Sequence, residues 1–277
     1  MAGEADRSRR GSGGPAGFLK NQHDGVRWPV AFAHRGFSRD GLENSLQAFK
    51  DAAALGFGYL ETDVHTTSDG VVLLFHDETL NRVTDGRGAI KDHTYAELQQ
   101  VKIGGREPIP TLDELLTALP GTCINIDIKD AFSILPLKDV LDRHDAYDRV
   151  CITSFSDKRL LAFQALLSDR APTHSAGMLR VGAFVLLGKL GLDWPLRWIL
   201  RGVDALQVPV RYGRIRIVTA RSVARAHRLG LQMHVWTINE AAVMEELLDL
   251  GVDGIMTDHA DLLAEIMETR GFWPQNA

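Results

Sequence analysis

The segment Tyr59-Leu60-Glu61-Thr62-Asp63-Val64-His65 decides the fold, because it has the pattern of a strand yet carries acidic residues where apolar ones are usual. Successive side chains of a strand point to opposite faces. If the apolar residues of this alternation face helices, then Glu61, Asp63 and His65 share the opposite, inner face. The segment is therefore predicted to be a buried strand whose inner face is polar.

Similar short runs recur along the chain and are separated by segments with a helical period. The eight predicted strands are Val30–His34, Tyr59–His65, Cys123–Lys129, Arg149–Thr153, Pro172–Met178, Ala205–Val210, Gln232–Ile238 and Gly254–Thr257. The predicted helices include Ser45–Leu55, Ser156–Leu167, Thr219–Leu229 and Asn239–Leu250, with Asn239 as a cap. Strands that alternate with helices indicate a parallel sheet. Eight such units in series favour the closed α/β fold, a TIM (β/α)8 barrel.

Composition and charge narrow the function. The chain has 277 residues, with 31 Lys and Arg against 36 Asp and Glu, which gives a net charge of −5. Nucleic-acid binders usually carry a clustered basic excess, so we expect no nucleic-acid partner. Cys123 and Cys151 lack a CxxC spacing, which favours reduced cysteines in the cytoplasm.

The two ends of the chain differ in composition. Residues 1–27 are rich in glycine and basic residues and lack the apolar core of a signal peptide. They are predicted to form a disordered tail, which leaves residues 28–277 as one barrel domain. Val71–Phe75 is an extra strand-like run after the second strand, and the polar residues that follow predict a small insertion at about 77–110. Loops on that side of such barrels build active sites.

Polar residues at strand ends form a candidate site for a metal ion. Asp127 and Lys129 share one face of the third predicted strand. Together with Glu61 and Asp63, Asp127 offers the carboxylate oxygens that Mg²⁺ or Ca²⁺ prefers. The alternative is that these acids only form salt bridges with Lys129. Three acids against one lysine leave an excess of negative charge, which favours a bound cation.

Two histidines end strand-like runs beside this site. They are His34, before Arg35, and His76, after the extra strand. Histidine titrates near neutral pH and can act as a base or an acid toward oxygen. Arg35 and Lys129 would supply the positive charge that a phosphoryl group requires.

Taken in order, these segments resemble the glycerophosphodiester phosphodiesterase family. The matching motifs are His34-Arg35-Gly36, Glu43-Asn44, Glu61-Thr62-Asp63-Val64, Asp69-Gly70, His76-Asp77, Leu80-Asn81-Arg82-Val83-Thr84, Gly86, Ile109-Pro110-Thr111-Leu112, Ile126-Asp127-Ile128-Lys129, Val235-Trp236-Thr237-Ile238-Asn239 and Gly251-Val252-Asp253-Gly254-Ile255-Met256-Thr257-Asp258. The resemblance runs from about Val30 to Leu263. It implies a TIM barrel with an insertion and a phosphodiester hydrolase that releases sn-glycerol 3-phosphate and an alcohol.

The resemblance also implies roles for individual residues. The metal ligands would be Glu61, Asp63 and Asp127. The acid and base would be His34 and His76; the substrate-binding residues would be Arg35, Lys129 and Trp236, with Trp236 walling the glycerol pocket. The glycerol 2-hydroxyl would attack phosphorus to give a cyclic phosphate, which water then opens.

One site residue departs from the family pattern. Asp127 stands where the family usually has Glu, and the shorter side chain withdraws its carboxylate by roughly one C–C bond, about 1.5 Å. This substitution raises the alternative of a silent barrel that only binds phosphorylated ligands.

A second departure is the apolar segment Met178–Arg201. Its longest run without charge, Val181–Gly188, is too short to cross a bilayer. The segment is predicted to be a helix or lid on the barrel. Alternatively, it binds an acyl chain or touches a membrane, because Trp194 and Trp198 alternate with basic residues. That alternative implies lysophospholipase D activity and peripheral membrane contact through residues 178–201.

Overall fold

Eight parallel strands form the centre of the molecule. The computed structural model describes residues 17–19, 22–23, 26–38, 40–168 and 170–276. The strands of the main sheet are β1 (Val30–His34), β2 (Tyr59–Thr66), β3 (Val72–Leu74), β4 (Cys123–Ile128), β5 (Val150–Thr153), β6 (Thr173–His174), β7 (Ala205–Val208), β8 (Gln232–Val235) and β9 (Gly254–Thr257). All except β3 pair in parallel, in the order β6-β5-β4-β2-β1-β9-β8-β7.

The two ends of this order meet, and the sheet closes. A parallel bridge joins Ser175, just after β6, to Ala205 at the start of β7. Backbone hydrogen bonds from Ala176 N to Ala205 O and from Asp204 N to His174 O reinforce the seam. The predicted TIM barrel is confirmed.

Helices cover the outside of the barrel, apart from α2 (Tyr95–Leu98), which belongs to the insertion after β3. The helices are α1 (Leu46–Leu55), α2, α3 (Leu112–Ala118), α4 (Ile134–His144), α5 (Asp157–Gln164), α6 (Met178–Lys189), α7 (Asp193–Ile199), α8 (Ala220–Arg228), α9 (Ala241–Asp249) and α10 (Ala260–Thr269), with 3-10 turns at Gly17–Leu19, Ile90–Asp92 and Tyr147–Arg149. The main apolar core lies between strands and helices; Leu60 and Val64 of β2 belong to it. The remaining alternate residues of β2 therefore face the barrel interior, as the sequence pattern predicts.

Several predicted boundaries differ from the structure, and two of the differences change how a segment is assigned. The predicted strand Pro172–Met178 contains only the two residues of β6, and Met178 already begins α6. Asn239 does not cap α9; Glu240 stands at that position, and the Asn239 side chain binds Asp258 instead. Both errors lie at carboxyl ends of strands, where tertiary contacts override local pattern.

The predicted extra strand and insertion have defined structure. β3 pairs antiparallel with the end of β2. Beyond it, α2 and the strand pair Lys102–Ile103 and Glu107–Pro108 pack around a separate small apolar cluster. This cluster contains Leu73, Phe75, Leu80, Ile90, Leu98, Ile103 and Ile109. The residues between about 77 and 110 are therefore internally folded on the barrel rim.

The chain before β1 is described only in part. Met1 to Ala16 of the predicted tail lie outside the described residues. The 3-10 turn Gly17–Leu19 buries Phe18 completely against Phe32 and Tyr59. The segment assigned to the tail thus includes a turn that packs against the barrel.

The apolar segment after β6 folds as two helices, α6 and α7, with an exposed turn between them. After β7, Arg211–Tyr212 and Ile215–Arg216 form a short antiparallel hairpin, called here the 211–216 hairpin. Within the described chain, every helix is too short or too polar to cross a membrane.

Candidate active site

Three buried carboxylates meet at the carboxyl ends of β2 and β4. Asp63 and Asp127 are direct partners in the parallel register of these strands, and Glu61 lies two residues earlier on β2. All three residues are at most 6% exposed. Their proximity follows from the register, because parallel strands bring residues of equal depth side by side.

Lys129 lies between two of these acids. Its Nζ is 2.8 Å from Asp63 Oδ1 and donates to Asp127 Oδ2 across 2.7 Å. Burial would raise the pKa of Asp63, but Lys129 and Arg35 outweigh it and hold that pKa below its usual value. Burial raises the pKa of Asp127 despite the contact with Lys129. The salt bridges between Lys129 and the acids, which the alternative without a metal predicts, therefore exist. They stabilise the negative charge of Asp63 more than that of Asp127.

Glu61 is the least compensated acid. Burial, together with the nearby carboxylate of Asp63, raises the pKa of Glu61 to about 7. Its Oε2 accepts a hydrogen bond from Arg35 N at 3.2 Å and lies 3.7 Å from His34 Nε2. A carboxyl group with such a pKa titrates at neutral pH, which is typical of functional sites.

Arg35 is held by the turn after β1. Its φ of 56° is in the left-handed region, which is uncommon for a residue with a side chain. Gly36 continues the turn, and a Cβ on it would lie 2.7 Å from the backbone of Ala48. The guanidinium of Arg35 lies 3.1 Å from Asp63 and bonds Glu43 at 2.9 Å. The turn thus directs a permanent positive charge at the acids.

His34, at the end of β1, is held in place by Asp258, a contact that was not predicted from the sequence. Its Nδ1 is 2.5 Å from Asp258 Oδ1, just after β9. Asn239 Nδ2 donates to the other oxygen of Asp258 across 2.8 Å. Burial lowers the pKa of His34, but Glu61 and Asp258 more than offset this, so its pKa is raised. The Nε2 of His34 faces the cavity side, toward Glu61.

His76 has a similar acidic partner. Its Nδ1 is 2.6 Å from Asp77 Oδ1, and Arg82 binds the same carboxylate and also Glu43. Hydrogen bonds from Arg82 and His76 lower the pKa of Asp77 to about 2. His65 reaches the carbonyl oxygen of His76 with Nε2 at 3.2 Å. The insertion and β2 together orient His76.

One cavity of about 570 Å³ contains these groups. Its polar half contains every predicted site residue, namely His34, Arg35, Glu61, Asp63, His76, Asp127, Lys129 and, at its edge, Trp236. Trp236 packs edge-on against Phe155, whose ring lies 5.8 Å from Lys129 Nζ. The predicted residues thus share one cavity, while their roles remain predictions.

The other half of the cavity is apolar. α6 contributes Val181, Gly182, Val185 and Leu186 to its wall, and the 211–216 hairpin contributes Tyr212 and Ile215. Trp194 and Trp198, which motivated the membrane hypothesis, are exposed on α7, and the cavity lining does not include them. The acyl-binding alternative therefore depends on α6 rather than on the tryptophans.

The donor set suits a hard cation only in part. Asp127 Oδ1 is buried without a hydrogen-bond partner among the described residues, and Glu61 has surplus negative charge when ionised. These are the oxygen donors that a divalent cation needs. Among the described residues, however, the side chains of acids, histidines and cysteines do not form a group of three that is close enough to hold a metal ion. Lys129 occupies the space between Asp63 and Asp127, so a cation would compete with it.

Several positioning residues were not predicted. They are Asp258, Asn239, Asp77, Arg82, Glu43 and Asp130, which is 2.7 Å from His65. Asp258 could have been predicted as a site residue from the sequence, because it is a polar residue directly after a strand. No local signal marks the contact between Arg82 and Glu43, which joins two distant loops.

The combination of a closed (β/α)8 barrel with acids, histidines and cations at its carboxyl edge defines a barrel enzyme for an anionic substrate. Comparison with known proteins narrows the class. The model of the glycerophosphoryl diester phosphodiesterase family matches residues 34–262. The chain belongs to this family and is a phosphoric diester hydrolase.

Individual relatives agree with this assignment. A probable glycerophosphodiester phosphodiesterase 2 of Mycobacterium tuberculosis is 41% identical over 245 residues, which cover 88% of this chain and 92% of the relative. Human lysophospholipase D GDPD1 is 25% identical, with 85% of each chain covered. A solved phosphodiesterase of Oleispira antarctica, in complex with the product sn-glycerol-3-phosphate, has a TM-score of 0.72 and 25% identity; 86% of this chain and 96% of that chain are covered. The family predicted from the motifs is confirmed.

Proposed function

We propose that the protein hydrolyses glycerophosphodiesters to sn-glycerol 3-phosphate and an alcohol, with a divalent cation, Mg²⁺ or Ca²⁺, as cofactor. The observation that carries this proposal is the polar half of the cavity, where three carboxylates lie beside two histidines and two permanent cations. The Oleispira relative, with sn-glycerol-3-phosphate in its structure, supports the choice of product.

The two histidines divide the proton transfers. One takes the proton of the glycerol 2-hydroxyl as its oxygen bonds to phosphorus, and the other protonates the alcohol oxygen as its bond to phosphorus breaks. Water then attacks the cyclic phosphate and gives a proton to the histidine that acted as the acid. The other histidine returns its proton to the 2-oxygen as the bond from that oxygen to phosphorus breaks, so both histidines regain their starting states. Asp258 and Asp77 support these transfers, because each holds Nδ1 of one histidine and leaves Nε2 for the substrate.

The cations and acids hold the phosphoryl group. Arg35 and Lys129 offer positive charge to its oxygens, with Arg35 kept in place by Glu43. Glu61, Asp63 and Asp127 would hold the divalent cation. When bound, this cofactor neutralises phosphoryl oxygens and lowers the pKa of the attacking hydroxyl.

An assay panel tests this proposal. Glycerophosphocholine and glycerophosphoethanolamine are incubated with protein treated with EDTA and then supplied with Mg²⁺ or Ca²⁺, and sn-glycerol 3-phosphate is measured. We expect activity only with added cation; full activity in EDTA would remove the metal. Binding of glycerol phosphate without turnover would indicate the silent phosphate-binding barrel.

A second candidate is lysophospholipase D activity at the same site. The observation that favours it is the apolar half of the cavity, which offers α6 as a wall for one acyl chain. The human relative named lysophospholipase D supports this candidate. Release of choline from lysophosphatidylcholine at a rate similar to that from glycerophosphocholine is the expected result; no release excludes the candidate.

We also propose that the protein is cytoplasmic. Lysophospholipase D activity would further require peripheral contact with a membrane, which we assign to residues 178–201. This contact is supported by Leu179, Leu190, Trp194 and Trp198, which are exposed on α6, α7 and the turn between them. Sedimentation with lipid vesicles tests the contact.

A further inference from the structure

The 211–216 hairpin lines the same cavity as α6. Tyr212 and Ile215 line the same apolar half as Val185 and Leu186 of the helix. Arg211 pairs with Arg216 and Tyr212 with Ile215 across the hairpin. The apolar half of the cavity thus has two walls, a helix and a hairpin, that come from different βα loops of the barrel.

The outer edges of both walls are exposed apolar side chains. Tyr212 is 67% exposed and Leu186 63% exposed, although both also line the cavity. Met178 and Phe155 combine the same two properties, and Leu179 is 80% exposed beside them. We call these residues, together with Ile215, the apolar rim. Apolar side chains collected around a cavity mouth are typical of an interaction site rather than of ordinary surface.

Positive charge accompanies the apolar rim. Residues 178–218 contain seven Lys and Arg and two Asp, a net charge of +5, whereas the whole chain has a net charge of −5. Part of this charge is paired. Asp193 pairs with Arg225, Arg180 with Asp157 and Arg216 with Glu246, and Asp204 accepts from His174 N. Arg211 and Arg214 of the hairpin are exposed. The hairpin therefore adds exposed positive charge next to the apolar rim.

We propose that the apolar rim docks the protein on an anionic lipid bilayer, with the 211–216 hairpin and α6 both inserted at the cavity mouth. Apolar residues flanked by cations match a bilayer surface, where acyl chains lie beneath negative headgroups. The proposal rests on the proposed function, because a mouth that faces the bilayer admits a glycerophosphodiester with one acyl chain directly from the membrane. It extends the predicted contact from residues 178–201 to the hairpin.

Vesicle sedimentation with paired variants tests the docking surface. Wild-type protein is expected to sediment with vesicles of phosphatidylcholine that contain phosphatidylserine, and far less with pure phosphatidylcholine. Arg211→Gln/Arg214→Gln is expected to weaken partitioning about 30-fold, since each basic residue near an anionic surface contributes about 1 kcal/mol. Leu179→Ser is expected to weaken it about tenfold through loss of apolar insertion.

The matched control removes two positive charges elsewhere. Arg143 lies in the last turn of α4 and Arg270 follows α10, at helix ends opposite the cavity mouth. Arg143→Gln/Arg270→Gln is expected to bind vesicles like the wild type. Equal binding by the two double variants, or no binding of the wild type to anionic vesicles, overturns the proposal.

Two further measurements separate the outcomes. Hydrolysis of soluble glycerophosphocholine is expected to be unchanged in Arg211→Gln/Arg214→Gln. If the wild type binds vesicles but hydrolyses no glycerophosphodiester, the proposed function fails and docking stands. If ultracentrifugation instead shows a dimer that Leu179→Ser dissociates, a second copy covers the apolar rim, and the membrane proposal is wrong.

Discussion

The polar and apolar halves of the cavity are built in different ways. In the polar half, acids, histidines and cations stand at or next to strand ends and are held by hydrogen bonds or ion pairs with one another and with neighbouring loops. In the apolar half, one helix and one short hairpin form walls whose outer edges are exposed. Under the proposed function, the fixed polar groups would catalyse hydrolysis, and the apolar wall on the loops between barrel strands would select the substrate. The difference indicates that chemistry and specificity can be altered separately.

Removal of a histidine is the strongest test of the polar half. His34→Ala is expected to lower kcat about 10³-fold for both glycerophosphocholine and lysophosphatidylcholine, because general acid or base catalysis contributes roughly 10²–10⁴-fold. Steady-state kinetics with both substrates measure the loss, and circular dichroism confirms folding. A folded variant that retains its activity would refute the acid/base assignment.

Filling the apolar half should affect only one substrate strongly. Gly182 lines this half, and a Cβ added there meets open space. Gly182→Phe is expected to raise KM for lysophosphatidylcholine about 30-fold, since it removes roughly 2 kcal/mol of acyl-chain burial. KM for glycerophosphocholine is expected to change less than about threefold. Equal effects on both substrates would show that the two halves are not separate.

The barrel interior beneath the polar half should limit stability in acid. His234 is fully buried, and burial lowers its pKa to about 4. As the pH falls below about 6.5, His234 binds a proton in the unfolded chain but stays neutral in the folded chain. Its contribution to the free energy of unfolding is therefore complete above about pH 6.5 and is lost as the pH falls toward 4. Between pH 7 and pH 5 the free energy of unfolding is expected to fall about 2 kcal/mol more in the wild type than in His234→Gln. Urea unfolding measures this difference, and parallel pH curves would contradict it.

A weaker effect is expected from a residue that only positions the catalytic groups. Asp258→Asn keeps the contact with Asn239 possible but weakens the bond to His34. We expect kcat to fall about tenfold with KM nearly unchanged, and Asp258→Glu to recover part of the loss. A change in KM alone would indicate that Asp258 binds substrate instead.

Much of the fold follows from periodicity. β1 and β9 have the predicted limits, and five of the other barrel strands differ from them mainly by a few residues at their ends. β6 is the exception, because the run Pro172–Met178 mixes polar and apolar residues without a regular alternation, so local pattern does not separate a strand from the helix that follows. The closure of the barrel at Ser175 and Ala205 depends on this short strand.

The site was predictable where a residue type is unusual for its position. An acid on a buried strand, such as Asp63, or a histidine at a strand end, such as His34, is visible in the sequence. Asp258 stands at a strand end as well, but its contact with His34 joins residues 224 positions apart. Such pairings appear only when β1 and β9 are neighbours in the sheet.

The sequence by itself determined which residues could do chemistry, because alternation along a strand decides which side chains share a face. Only the tertiary structure decided how each is held, that Lys129 bridges Asp63 and Asp127, and that α6 and the 211–216 hairpin line one cavity. The physical reason is that barrel closure brings together loops that are distant in the chain. The local sequence of each loop does not predict which other loops it will contact.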